Sequence, residues 1–99
     1  MSEVGVTEAE QRRAQEQVLD VREDVEVADG MIPGALHIPM RQLTSRLPEI
    51  DRTRPVIVVC RSGHRSARVA DALIGAGCTA EDTMAGGMLA WERAGLPVR

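Results

Sequence analysis

The sequence of 99 residues predicts an α/β fold, with a small central parallel sheet flanked by helices on both faces. Segments with strand character alternate with segments of helical periodicity along the chain, as they do in folds built from βαβ units. The run Val-Ile-Val-Val at 56–59 is apolar at every position, which is typical of a strand buried on both faces. A chain of this length is expected to form a single domain, over residues 1–99.

The first part of the chain predicts a strand, a helix and a second strand. Residues 4–6 are expected to form a short edge strand. Thr7 and Glu10 have the spacing of a capping box, so a helix is predicted from residue 7 to about 17. The mostly apolar residues 18–21 then predict a strand buried in the sheet.

The middle of the chain predicts a short helix or turn over 23–28 and a third strand over 35–38. Pro39 ends this strand, because proline cannot continue a central ladder. Apolar residues then recur at helical spacings of three and four, and this stripe is expected to face the sheet. The stripe consists of Met40, Leu43, Leu47 and Ile50.

The last part predicts two helices separated by a strand. The first helix has one small or apolar face, formed by Ser66, Val69, Ala70 and Leu73. A short strand is predicted over 82–84, and the glycine pair at 86–87 permits a tight turn at the same edge of the sheet. The final helix, over 88–94, carries Trp91 as an expected core anchor.

The strand at 56–59 leads into the polar loop Cys-Arg-Ser-Gly-His-Arg-Ser at 60–66. Parallel sheets bind ligands beyond the carboxyl ends of their strands, where the next helix presents unpaired amides. With Arg61 and Arg65 nearby, a thiol at this position is expected to ionise. Cys60 is therefore a candidate nucleophile. A merely structural cysteine is the alternative, and the charged surroundings argue against it.

The spacing within the loop favours sulfur over phosphate chemistry. Cysteine phosphatases place one more residue between the cysteine and the arginine than this sequence has between Cys60 and Arg65. A shorter loop makes a tighter ring of amides, which suits one extra sulfur atom better than a tetrahedral phosphate.

The loop resembles that of the rhodanese family of sulfurtransferases, and three further segments agree with the family in order. These are Leu-Asp-Val-Arg-Glu at 19–23, the stretch at 30–39 with its Ile-Pro-Gly-Ala core, and the glycine pair, tryptophan and Gly-Leu-Pro-Val at 86–98. Two positions depart from the family pattern. Met31 replaces a usual histidine, and Val27 stands where an aromatic residue is common.

The resemblance implies a rhodanese-like fold and a thiosulfate sulfurtransferase activity without cofactor or metal. Cys60 would take a sulfur atom from a small anionic donor such as thiosulfate and hold it as a persulfide. The acceptor would be a thiol or cyanide, or a thiol on an acceptor protein. The rest of the loop would bind the substrate and cradle the persulfide, namely Arg61, Ser62, Gly63, His64, Arg65 and Ser66.

Asp20 and Arg22 are expected to support the loop from the neighbouring strand. If that strand lies beside the one at 56–59, both side chains reach the same edge of the sheet. Asp20 is expected to accept hydrogen bonds from loop amides or from Arg65. Arg22 is expected to form a structural ion pair with Glu23 or Glu26.

Other interpretations stay open at this point. A persulfide carrier without turnover, or a protein-interaction or sulfide-sensing module, would use the same fold. A zinc site is disfavoured, because the cysteines and histidines lack the usual ligand spacings. His64 either aids substrate binding, tunes the charge of the loop or points into solvent. Cys78 is expected to be structural, although a resolving role toward Cys60 stays open.

The composition limits the partners and the location. A net charge of −3 argues against a nucleic-acid partner. No apolar segment of signal or membrane length opens the chain, so a cytoplasmic location without membrane contact is expected. The sequence does not determine the oligomeric state, and both a monomer and a weak dimer stay open.

Overall fold

A five-stranded sheet forms the centre of the computed structural model, which describes residues 2–99 apart from the side chains of Ser2, Ala80 and Glu81. All neighbouring strands are parallel, and they lie in the order β1-β5-β4-β2-β3. The strands are β1 (Ser2–Val4), β2 (Gln17–Asp20), β3 (Leu36–His37), β4 (Val56–Val59) and β5 (Ala80–Met84). The all-apolar β4 is the central strand, as its sequence predicts.

The described residues form five α-helices. They are α1 (Val6–Arg12), α2 (Asp24–Val27), α3 (Leu43–Arg46), α4 (His64–Gly75) and α5 (Gly87–Arg93). Two short 3₁₀ segments, Met40–Gln42 and Leu47–Glu49, flank α3. None of the helices within residues 2–99 has both the length and the apolar character needed to cross a bilayer.

The side chains of β4 alternate between two separate hydrophobic cores. Val56, Val58 and Cys60 point into a core that α3 and α4 cover, whereas Ile57 and Val59 point into a core covered by α1 and α5. Helices therefore pack on both faces of a parallel sheet, and the predicted α/β fold is confirmed.

The helix after Cys60 buries the face that its sequence predicts. Ser66, Val69, Ala70 and Leu73 are the buried residues of α4. The apolar stripe at 40–50 also packs on the same core, although α3 and its flanking 3₁₀ segments divide it instead of one long helix. Trp91 is completely buried in the other core, and this confirms its role as an anchor.

The predictions for the first helix were wrong at both ends. Helix α1 begins at Val6 after an N-cap at Gly5, no side chain caps it, and it ends at Arg12 instead of about residue 17. The carboxylate of Glu10 binds Arg13 instead of an N-terminal amide. Gln17 belongs to β2, where its side chain bonds to backbone groups of Asp51 and Arg54.

Candidate active site

Cys60 is the first residue beyond β4, and the loop that follows folds back onto its sulfur. The amide of Gly63 donates a hydrogen bond of 3.0 Å to Cys60 Sγ. Gly63 reaches this position with a φ of 102°, in the left-handed region that favours glycine, and α4 begins at the next residue. Cys60 itself is 0% exposed. The sulfur is thus buried and at the same time in contact with a polar donor.

Five other amides of this loop have no hydrogen-bond partner within the described residues. They belong to Arg61, Ser62, His64, Arg65 and Ser66. Three of the five lie in the first turn of α4, where unpaired N–H groups and the helix dipole favour negative charge. The hydroxyl of Ser66 donates a hydrogen bond of 3.1 Å to the carbonyl of Gly63 and so holds the turn in place.

The start of α5 fixes the orientation of the first two peptide groups of the loop. The amide of Met88 donates to the carbonyl of Cys60 at 2.9 Å, and that of Leu89 donates to the carbonyl of Arg61 at 3.0 Å. Because a trans peptide group is planar, the N–H groups of Arg61 and Ser62 point away from α5. Gly87 permits this close approach, since a Cβ there would lie 2.4 Å from the Cys60 carbonyl oxygen.

Arg65 is held by a residue of α2. Its guanidinium donates two hydrogen bonds of 2.9 Å to the two carboxylate oxygens of Glu26. These bonds lower the pKa of Glu26 from an ordinary 4.5 to about 2, although partial burial opposes the shift. The same contact raises the pKa of Arg65, with a smaller contribution from the charge of Cys60. Glu26 is a site residue that the sequence analysis assigned to a different partner.

The expected contacts of Asp20 were wrong. Asp20 accepts hydrogen bonds from the amide and the guanidinium of Arg22, and none from the loop or from Arg65. Asp20 pairs in register with Val59, so its side chain shares the face of Val59, which is opposite to that of Cys60. The alternation of side chains along β4 therefore separates Asp20 from the sulfur.

The expected ion pair of Arg22 with Glu23 or Glu26 was also wrong. Arg22 is 4% exposed and pairs with Asp20 at 2.8 Å. It donates further to the carbonyls of Gly30 at 2.8 Å and Glu26 at 3.3 Å, so its contact with Glu26 is to the backbone. Asp20 and Arg22 do reach the same edge of the sheet as the loop, where Arg22, held by Asp20, bonds to the backbone of α2 at Glu26 and to the turn at Gly30.

The remaining residues that the sequence singles out lie at the surface, except for His37, which is partly buried. Arg61, Ser62 and His64 are exposed, and their side chains form no hydrogen bond in the described part of the chain. His37 bonds through its ring to the carbonyl of Arg22 at 2.7 Å, as expected of a residue with a structural role.

Cys78 lies at the opposite end of β4 from Cys60. The amide of Val56 donates to the carbonyl of Thr79, the neighbour of Cys78. The length of β4 then separates the two cysteines by about 13 Å, beyond the span of a disulfide. Both thiols are free and buried, so Cys78 is not placed to resolve a persulfide on Cys60.

A cavity of about 340 Å³ borders the loop at Arg61. Its walls come from the residue after Cys60, from α2 and its flanking residues, and from α5. They are formed by Arg22, Val25, Glu26, Asp29, Arg61, Met88, Leu89 and Glu92. In the described residues no group of three or more His, Cys, Asp or Glu side chains is arranged to hold a metal ion.

Neither the contact of Glu26 with Arg65 nor the contacts of the Met88 and Leu89 amides with the loop follow from the sequence patterns. Glu26 is 39 residues from Arg65, so no local spacing connects the two. The one available signal is Glu23 followed by Glu26, which forms the capping box of α2 and marks Glu26 as a fixed carboxylate.

Comparisons with known proteins agree with this architecture. The sequence profile of the family described as "Rhodanese-like domain" matches residues 5–94. A protein named sulfurtransferase from Allochromatium vinosum is 41% identical over 81 residues, which cover 82% of this chain and 76% of that protein. The putative sulfurtransferase YtwF of Bacillus subtilis is 43% identical over 75 residues, which cover 76% of this chain and 72% of the relative.

A solved structure provides the matching fold. The crystal structure of a rhodanese-related protein from Thermoplasma volcanium superposes with a TM-score of 0.92 at 28% identity, and the match covers 100% of this chain and 98% of that one. The fold implied by the four sequence segments is thereby confirmed.

Proposed function

Since the chain belongs to the rhodanese-like domain family, we propose that it is a sulfurtransferase in which Cys60 carries the transferred sulfur as a persulfide. The observation that carries the proposal is the hydrogen bond from the Gly63 amide to Cys60 Sγ, within a loop of otherwise unpartnered amides. Relatives named sulfurtransferase support the same class of reaction. The reaction needs a free thiol, which suits a reducing compartment such as the cytoplasm.

The proposed first half-reaction loads sulfur onto the enzyme. The Cys60 thiolate attacks the outer sulfur of a donor such as thiosulfate, the sulfur–sulfur bond of the donor breaks, and sulfite leaves with the electron pair. In the second half-reaction an acceptor thiolate or cyanide attacks the outer sulfur of the persulfide. The bond between the two sulfurs breaks, and Cys60 is restored as a thiolate.

The loop amides stabilise the negative charge of both the thiolate and the persulfide. The Gly63 amide contacts the inner sulfur, and the unpartnered amides from Arg61 to Ser66 are the donors available to the outer one. Removal of one such donor in comparable anion sites slows a reaction by about 10²–10³-fold. Arg61, which is exposed and unpaired in the described structure, attracts the anionic donor, whereas Arg65 is held by Glu26.

Sulfur loading tests the proposal directly. We expect that incubation with thiosulfate adds one sulfur atom to the wild-type chain, measured as intact mass, and none to Cys60→Ser. Cys78→Ser is the matched control, because Cys78 is also a buried free thiol, and it should load like the wild type. Absence of an added sulfur on the wild type, or loading of Cys60→Ser, refutes the proposal.

A persulfide carrier without efficient turnover is the second candidate. The complete burial of Cys60 favours it, because a shielded persulfide reacts slowly with free acceptors. Steady-state turnover with thiosulfate and cyanide separates the two candidates. Repeated turnover indicates an enzyme, whereas stable loading without turnover indicates a carrier that delivers its sulfur to an acceptor protein.

A further inference from the structure

Three of the four large apolar side chains that the described residues expose lie around the cavity between α2 and α5. Val25 on α2 is 79% exposed and Leu89 on α5 is 38% exposed, and both line the cavity. Val98 is 46% exposed and lies against Gly30, because a Cβ on this glycine would be 3.2 Å from the Cβ of Val98. Gly30 follows Asp29, which also lines the cavity. The exposed apolar side chains are therefore concentrated on one part of the surface.

The backbone that carries these side chains is well supported. Next to Val98, Arg99 and Met31 exchange two backbone hydrogen bonds, of 2.9 and 3.2 Å. The indole of Trp91 donates a further hydrogen bond of 2.8 Å to the carbonyl of Pro97, which connects this segment to α5. Helices α2 and α5 are both bonded to the reactive loop. A surface that is already ordered loses little conformational entropy when a partner binds to it.

Unpaired charges of both signs surround the apolar side chains. Arg61, Asp29 and Glu92 line the cavity, are exposed, and have no side-chain partner in the described residues. They come from three separate segments, namely the reactive loop, the end of α2 and α5. The two other charged side chains of the wall belong to ion pairs within the chain. We call this surface the α2–α5 patch, and it consists of Val25, Asp29, Arg61, Leu89, Glu92 and Val98.

The mixed charge decides which kind of partner the patch suits. An acidic surface would meet the two carboxylates and a basic surface would meet the guanidinium, so a partner with one sign of charge is repelled by part of the patch. A second copy of the chain, related by a two-fold axis, presents the same charges in the reverse order. Arg61 of each copy then has Asp29 and Glu92 of the other copy as acceptors, and the apolar side chains pack across the axis. The patch is thus complementary to itself.

We infer that the α2–α5 patch is the interface of a symmetric dimer of this chain. The inference goes beyond the proposed function and does not depend on it. Three apolar and three charged side chains on each copy are far fewer than the roughly 20–30 residues a side of a stable interface, so the dimer is weak. Its dissociation constant is expected between about 10 µM and 1 mM.

Sedimentation equilibrium at protein concentrations from about 10 µM to about 1 mM tests the inference. The wild type should pass from monomer to dimer as the concentration rises. Val25→Asp buries a charge in the apolar part of the interface and should raise the dissociation constant at least about tenfold. Ile74→Asp is the matched control, because Ile74 is 49% exposed on α4, outside the patch, and this variant should associate like the wild type. A wild type that stays monomeric or assembles beyond a dimer overturns the inference, as does equal association of the two variants.

Charge reversal tests the same interface in a second way. Arg61→Glu makes the unpaired charges of the patch entirely acidic, and Asp29→Arg/Glu92→Arg makes them entirely basic. Each variant alone should be monomeric, because like charges then face each other across the axis. An equimolar mixture of the two variants should form a dimer, since the acidic patch of one chain now meets the basic patch of the other. A mixture that stays monomeric overturns the inference.

The controls change the net charge by the same amounts outside the patch. They are Arg68→Glu and Glu3→Arg/Asp71→Arg, which alter exposed side chains that do not line the cavity. Each control should associate like the wild type. Loss of association in the controls as well would attribute the effect to overall charge and overturn the inference. Circular dichroism verifies that every variant compared is folded.

Discussion

The guanidinium of Arg65 and the carboxylate of Glu26 form a two-point ion pair in which both N–O distances are 2.9 Å. The pair connects the first turn of α4 to α2, two elements that are far apart in the sequence. Glu26 also accepts the amide of Glu23 at 2.9 Å, so the carboxylate is itself held in place. The pair fixes Arg65 and thereby the turn that carries the loop amides.

Neutralising Glu26 is expected to slow the loading of Cys60. Glu26→Gln removes the charge that orients Arg65, and we expect the rate of persulfide formation from thiosulfate to fall about two- to fivefold. Stopped reactions analysed by intact mass measure this rate. Glu10→Gln is the control, since Glu10 on α1 forms a similar pair with Arg13, the residue that follows this helix. A fall of equal size in the control, or none in Glu26→Gln, contradicts the positioning role.

The same pair predicts a pH dependence of stability. The pKa of Glu26 is lowered from 4.5 to about 2, so the stability that the pair provides is complete above about pH 4.5. As the pH falls from 4.5 to 2, the unfolded chain binds a proton at this site before the folded chain does, and the stabilisation is lost. The free energy of unfolding should therefore fall more steeply in this window for the wild type than for Glu26→Gln. Denaturant unfolding at several pH values measures both slopes, and equal slopes would show that the pair contributes nothing.

Gly63 is predicted to be needed for loading as well as for stability. Its φ of 102° is costly for any residue with a Cβ, so Gly63→Ala should lower the free energy of unfolding by about 1–2 kcal/mol. The altered turn also displaces the amide from Cys60 Sγ. Loading should slow by about 10²–10³-fold if this hydrogen bond is lost entirely.

Gly34→Ala separates these two effects. Gly34 has a φ of 81° and open space around it, so alanine there meets a comparable backbone penalty away from the loop. We expect a similar loss of stability with unchanged loading. If sulfur loads onto Cys60 at the same rate in both variants, the Gly63 amide has no role in the mechanism.

Gly87 is predicted to be the least replaceable glycine of the site. A Cβ there would lie 2.4 Å from the carbonyl oxygen of Cys60 and 2.5 Å from that of Arg61, so α5 and the loop must separate. Gly87→Ala should cost about 2–3 kcal/mol, from strain at a φ of 58° together with the clash. Gly95→Ala, with a φ of 71° and no atom within 4 Å, should cost only the backbone part. Thermal or denaturant unfolding compares the two, and equal costs would refute the close packing of α5 on the loop.

Local sequence patterns predicted the features that depend on residues close together in the sequence. The apolar run of β4, the buried face of α4 and the placement of Cys60 at a strand end all follow from periodicity and turn chemistry. Thr7 and Glu10 show the limit of such patterns. The helix begins at Val6, which places Thr7 inside its first turn instead of at the N-cap, and Glu10 pairs with Arg13, the C-cap residue.

The partners of charged side chains could not be predicted in this way. Asp20 and Cys60 lie at the same sheet edge, but the register of β2 against β4 puts them on opposite faces. Glu26 reaches Arg65 only because the order of the strands brings α2 next to the loop. Such pairs depend on register and strand order, which short sequence windows do not contain.

The buried position of Trp91 makes this residue an intrinsic fluorescence probe of the protein. Trp91 is the only aromatic residue of the sequence apart from the two histidines, so absorption at long ultraviolet wavelengths and intrinsic fluorescence come from one indole. This indole, on α5, is fully buried. Its N–H group donates a hydrogen bond of 2.8 Å to the carbonyl of Pro97. Because α5 also holds the carbonyls of Cys60 and Arg61, a shift of the loop that moves this helix changes the emission without any attached dye.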